Sequence, residues 1–181
     1  YMNNSALQLQ VTTNRENLCA IETYVPEYRK WYLKMTQQKG EETDCRGDKG
    51  RICSDLAASL AHLKDSVDAL EKESEKKHVS ILTEFAYLSR SICGTVGILC
   101  KSGKDRTGMS ATLELVRSLV EDANLIFGER AVTTLRDKGA RRMNVWANTG
   151  QSMFAFNSIQ RTMLPACYRP PHNTFSGNVA T

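Results

Sequence analysis

Cys100-Lys101-Ser102-Gly103-Lys104-Asp105-Arg106-Thr107 is the stretch whose residue types and spacing add up to a reaction. It lies between an apolar run, Val96-Gly97-Ile98-Leu99, and residues with helical spacing from about Gly108. A strand, a short polar loop and a helix in that order make an anion site. The helix leaves its first N–H groups without intrahelical partners and carries partial positive charge at that end. Gly103 allows φ > 0, so successive N–H groups can turn inward toward phosphate oxygens. Arg106 supplies a planar, permanently charged fork that grips two oxygens at once. A thiol titrates near ~8.5, but at a helix N-terminus with Lys and Arg nearby it falls to roughly 3.5–7.5, so Cys100 is placed to rest as a thiolate. Such a sulfur attacks phosphorus to form a phosphocysteine, while Arg106 and the loop amides stabilise the charge on the transferring oxygens. This chemistry requires no metal and no cofactor.

A Cys followed six positions later by an Arg arises by chance in many chains, and a buried structural Cys before a polar turn is the bland reading. Gly103, the cations Lys101 and Lys104, and Thr107 strengthen the functional one. Lys101 and Lys104 suit a ring bearing several phosphates better than a single phosphate ester, and Ser102, Gly103 and Thr107 complete the expected substrate-binding set. Asp105 could protonate the leaving oxygen or position water, or it could orient Arg106 or a loop amide. Thr107 could donate to the Cys100 sulfur or assist breakdown of the intermediate, or it could cap the helix.

The string CKSGKDRTGMS resembles the active-site loop of the inositol polyphosphate 4-phosphatases. Phe154-Ala155-Phe156-Asn157-Ser158-Ile159-Gln160 and Tyr168-Arg169-Pro170-Pro171 are similar to segments near the C-terminus of that family. The resemblance covers the chain from about Cys100 onward. It implies a metal-independent phosphatase that removes the 4-phosphate of phosphatidylinositol 3,4-bisphosphate or of soluble inositol phosphates carrying the same pair. Cys100 would be its nucleophile, Arg106 its phosphate clamp, and Lys101 and Lys104 its readers of further ring phosphates. Asp105 stands inside the loop as in the myotubularin lipid phosphatases. The chain departs from the family at Ser152-Met153, where relatives carry a basic pair, and this bears on headgroup preference. The rivals are a protein-tyrosine or dual-specificity phosphatase and a non-catalytic phosphoinositide-binding module.

The 181 residues, 41% hydrophobic, can bury a proper core, and the expectation is a single phosphatase catalytic domain over 1–181. Twenty-four basic and 20 acidic residues give a net charge of +4, too mild to argue for nucleic acid but compatible with a polyanionic substrate. The run Arg136, Lys138, Arg141, Arg142 reads as a solvated helical face or as a contact for anionic lipid. No apolar run is long enough to span a membrane, the first residues lack signal-peptide character, and a start on Tyr1 suggests an excised piece. The six cysteines show no Cys-x-x-Cys, and a reactive thiolate favours a reducing compartment. The expectation is a cytoplasmic protein with thiols that are mostly buried, with peripheral contact at anionic membranes as the alternative use of the basic run.

The fold class expected is α/β and Cys-phosphatase-like: helix-rich, with a small sheet and a strand–P-loop–helix active site. Leu7, Leu9 and Val11 alternate as a short strand. Residues 25–38 predict a helix that starts at Pro26 and packs through Trp31, Tyr32 and Met35. Residues 39–50 read as a loop. Leu56, Leu60, Leu63, Val67 and Leu70 recur at threes and fours, predicting a long amphipathic helix that ends in the charged stretch 71–77. Residues 79–93 predict a helix burying Leu82, Phe85, Ala86 and Leu88. The loop-bearing helix should cover 108–122 and bury Met109, Leu113, Val116 and Val120. Further helices are expected over 125–137 and 153–164, with an extended tail set by Pro165, Pro170 and Pro171. His62, His78 and His172 are scattered and read as non-catalytic.

Overall fold

The structure is a computed structural model that describes residues 4–38, 49–73, 78–101 and 103–177. The chain divides into two units, residues 1–96 and 97–181.

The elements described in the first unit are helices: α1 (Asn4–Gln38), α2 (Lys49–Lys72) and α3 (Ser80–Ser91), with α2 packed against both of the others. The predicted stripe on α2 is the centre of its core. Leu56, Leu63 and Val67 are buried together with Leu18 and Val25 of α1 and Leu88 of α3, and Ile21, Tyr28, Leu60, Ile81 and Ile92 pack around them. Arg15 of α1 crosses to Asp68 and Glu71 of α2 at 2.8 and 2.6 Å, a surface link of modest worth beside that burial.

Several expectations for this unit are corrected. Leu7, Leu9 and Val11 lie in α1, not in a strand; three alternating residues are too short a signal against the apolar 3–4 spacing that follows at Leu18, Ile21, Val25 and Tyr28. α1 also runs through Pro26 rather than starting there. A proline inside a helix costs about 3 kcal/mol, which burial of Leu18 and Val25 before it and packing of Tyr28 after it outweigh. Trp31 is 55% exposed, because the buried face is the one carrying Leu18 and Val25. In α3, Ala86 and Leu88 are buried as predicted, whereas Leu82 and Phe85 are exposed. The predicted loop at 39–50 falls outside the described residues up to 48, and Lys49 and Gly50 belong to α2.

The second unit contains α4 (Asp105–Ala123), α5 (Gly128–Lys138), α6 (Ala140–Thr149), β1 (Phe154–Asn157), α7 (Ser158–Met163) and β2 (Phe175–Gly177), with short 3-10 helices at Ala166–Tyr168 and His172–Thr174. β1 and β2 pair in parallel, Phe154 opposite Phe175 and Asn157 opposite Gly177. α4 is central: it packs against α5, α6, β1 and the 3-10 turn Ala166–Tyr168. Met109, Leu113, Val116, Val145, Phe154, Phe156 and Tyr168 are buried in this unit.

The architecture is helix-rich, as expected, but the strand leading into the loop is absent. Residues 94–100 form no strand, and Leu99 is 91% exposed. An isolated strand leaves its N–H and C=O groups without ladder partners, and the apolar run has none among the described residues. Residues 153–164 also differ from the predicted single helix. Phe154-Ala155-Phe156-Asn157 alternates buried and half-buried as β1, and α7 starts only at Ser158. The switch has a local cause, a capping box: Asn157 Oδ1 accepts from Gln160 N at 2.6 Å while Gln160 Oε1 accepts from Asn157 N at 3.1 Å. The proline-rich tail is not merely extended, since it forms both 3-10 turns and β2.

Candidate active site

The loop and the start of α4 are one local structure. Gly103 has φ of 65°, the left-handed conformation the sequence required of it, and its N–H donates to Cys100 O at 3.1 Å to close a turn. Lys104 occupies the cap position, where no side chain caps the helix. α4 therefore begins at Asp105, three residues before the predicted start, and carries Asp105, Arg106 and Thr107 in its first turn. Cys100 is half-buried, Lys101 and Arg106 are exposed, and Lys104 and Asp105 are half-buried. Ser102, expected among the substrate-binding residues, lies outside the described residues.

Asp105 does not cap the helix it begins. Its Oδ1 accepts a hydrogen bond from the backbone N–H of Ala155 in β1 at 2.8 Å, a partner that was neither Arg106 nor a loop amide. Thr107 is buried, and its Oγ1 has no hydrogen-bond partner among the described residues, so it is not a helix cap. Gly108 lets β1 approach: a Cβ there would stand 3.1 Å from Phe154 Cε1 and 3.8 Å from Arg141 Cβ. Phe154 itself is fully buried.

Behind the first turn of α4 lies a residue misread from sequence. Arg136 is 2% exposed and cannot belong to a lipid-facing surface. Its Nε donates to Thr112 Oγ1 at 3.0 Å, Nη1 to Arg169 O at 3.0 Å, and Nη2 to Met109 O and Cys167 O, both at 2.7 Å. Burial pushes its pKa down to about 10. Arg142 is likewise engaged, donating to Ser152 O at 2.9 Å and to Asp137. Of the predicted basic run only Lys138 is exposed, with Arg141 half-buried against the start of α4. Nothing local in the sequence marks Arg136 as interior; the partners that satisfy it are 24 to 33 residues away or on other elements.

Cys19, Cys93 and Cys167 are exposed thiols, against the expectation of mostly buried ones; on α1, for example, Leu18 takes the inward position and Cys19 falls outside. Cys45 and the side chain of Cys53 lie outside the described residues. Among the described residues no group of three or more His, Cys, Asp or Glu converges, and no helix is long and apolar enough to cross a membrane.

The family model of the INPP4A C-terminal domain matches residues 4–168. The chain belongs to this family. The type II inositol 3,4-bisphosphate 4-phosphatase of Rattus norvegicus is 36% identical over 175 residues, covering 93% of the chain and 17% of that relative. The inositol polyphosphate 4-phosphatase type II of Homo sapiens is 36% identical over 171 residues, with the same shares. The chain thus spans about a sixth of the length of the curated relatives it matches. No solved structure matches it. In this INPP4A C-terminal domain, the Tyr168-Arg169-Pro170-Pro171 segment has a structural place. Tyr168 is buried, its hydroxyl bonded to Ser110 of α4, and burial raises its pKa. Arg169 O is one of the acceptors that hold Arg136.

Proposed function

We propose that the protein is a cysteine-dependent phosphoinositide phosphatase. It removes the 4-phosphate of phosphatidylinositol 3,4-bisphosphate, or of inositol phosphates with the same pair, in the cytoplasm and at anionic membrane surfaces. Membership of the family and the activity for which its relatives are named support the substrate class. The observation that carries the site is the uncapped start of α4 beneath the Gly103 turn, with the one loop carboxylate drawn aside to β1. First-turn amides left without a side-chain acceptor suit a phosphate dianion.

In this reading the Cys100 thiolate, favoured by the helix end and the two lysines, attacks phosphorus. The bond from phosphorus to the inositol oxygen breaks, and Asp105 gives that oxygen a proton through Oδ2, the oxygen Ala155 does not use. Water then attacks the phosphocysteine, Asp105 takes its proton back, and inorganic phosphate leaves with the thiolate restored. Arg106 grips two equatorial oxygens, the N–H groups of Lys104 to Thr107 take the rest above the turn that Gly103 closes, and Lys101 and Lys104 meet the neighbouring ring phosphate. The buried Thr107 hydroxyl, which has no hydrogen-bond partner among the described residues, is assigned the role of donor to the Cys100 sulfur.

Phosphate release from a panel of phosphoinositides, soluble inositol phosphates and phosphotyrosyl peptides tests this. Cys100→Ser should abolish release, and Arg106→Lys should lower kcat by about 10²–10³, because a point charge cannot reproduce the fork. Lipid binding with no Cys100-dependent release would make the domain a binding module. Faster turnover of the peptides would make it a protein phosphatase.

A further inference from the structure

Asp105 is an odd residue to find at the start of an uncapped helix. A carboxylate in the first turn is attracted to the helix's positive end and its unpartnered amides. Here its oxygen reaches a backbone N–H 50 residues further along the chain, at 2.8 Å, while the cap position belongs to Lys104. A second contact fixes the same two elements: the fully buried Phe154 ring lies against Gly108, at a distance only a residue without a Cβ accepts comfortably. β1 is therefore clamped to the first turn of α4 at two adjacent points, one polar and one apolar.

We propose that the Ala155 N–H is a positioning group for the phosphate site: by holding Asp105 Oδ1, β1 keeps the carboxylate off the first-turn amides and so keeps the anion cradle open. The inference rests on the phosphatase reading, and it adds a function for a strand that contributes no side chain to the chemistry. Without the strand's donor, Asp105 turns back toward the positive end of α4 and competes with phosphate for the same amides. Binding of the ester suffers first.

Ala155→Pro removes the donor, Ala155→Gly keeps it, and neither replaces a reacting group. Phe154 is already in extended strand, so a proline after it meets no conflict. An aryl phosphate is the substrate of choice, because its leaving group needs no proton and the acid role of Asp105 is silent. Ala155→Pro should lower kcat/KM roughly ten-fold or more, chiefly through a higher KM. Ala155→Gly should stay within about two-fold of wild type. Adding Asp105→Ala to Ala155→Pro should restore the affinity for inorganic phosphate, read by equilibrium binding rather than by turnover, since the competing carboxylate is gone. Hydrogen exchange at the Ala155 amide should be faster in Asp105→Ala than in wild type.

Equal KM values for the proline and glycine variants, or an Ala155 exchange rate indifferent to Asp105→Ala, would overturn the inference. If Ala155→Pro fails to fold, Asp105→Asn decides: its amide oxygen still accepts, so exchange at Ala155 must be slower than in Asp105→Ala, and equal rates refute the strut. Wild-type protein without Cys100-dependent turnover would sink the phosphatase reading instead, and the exchange comparison would still judge the hydrogen bond on its own.

Discussion

Arg136 takes a permanent charge into the interior and satisfies it with three carbonyl oxygens and a hydroxyl. Desolvating a guanidinium is expensive, so the arrangement stands only because each bond is made. Arg136→Met should cost roughly 3 kcal/mol in urea unfolding, since the Met109, Cys167 and Arg169 carbonyls would all lose their guanidinium donors. Arg136→Lys should recover less than half of that, an ammonium being unable to span acceptors on α4 and the 167–169 segment together. A loss below 1 kcal/mol would show that water replaces the side chain. This residue was illegible in the sequence: a cation in a basic run looks like surface, and only tertiary contacts tell otherwise. Gly103 was legible, because one backbone conformation follows from one residue type. Asp105 was half legible, in that its type and place suggested chemistry while its partner in β1 did not show.

Among elements, α2 could be read directly, because five apolar residues at threes and fours leave one possible face. α6 went unread: the polar stretch at 140–149 shows only Val145 buried, too little for a stripe. β1 carried its own alternation in Phe154, Ala155, Phe156 and Asn157, but the apolar residues beyond it suggested a longer helix. The packing of β1 on α4 gives a test at this scale. Gly108→Ala gains about 1 kcal/mol of helix propensity. It also pushes a Cβ to 3.1 Å from a ring that is sealed on every side, and overpacking costs ~1–3 kcal/mol. A net fall in thermal stability is expected, and a rise would mean that the Phe154 ring yields.

For the molecule as a whole, charge is unevenly shared. Residues 97–181 hold 11 basic and 6 acidic side chains, a net of +5, whereas residues 1–96 hold 13 and 14, a net of −1. If the protein meets anionic lipid, the second unit supplies the attraction. Cosedimentation with phosphatidylserine vesicles should then weaken steeply as salt rises from about 0.1 to 1 M, where the screening length falls from about 10 to 3 Å. Salt-indifferent binding would point to insertion of exposed side chains such as Trp146 instead. The pairing of β1 with β2 carries one more implication. A protease that nicks the polypeptide after Thr174 strips β1 of the one strand paired with it among the described residues, so on the proposed phosphatase reading a domain trimmed there would turn over more slowly although every group assigned to the phosphorus chemistry remained in place.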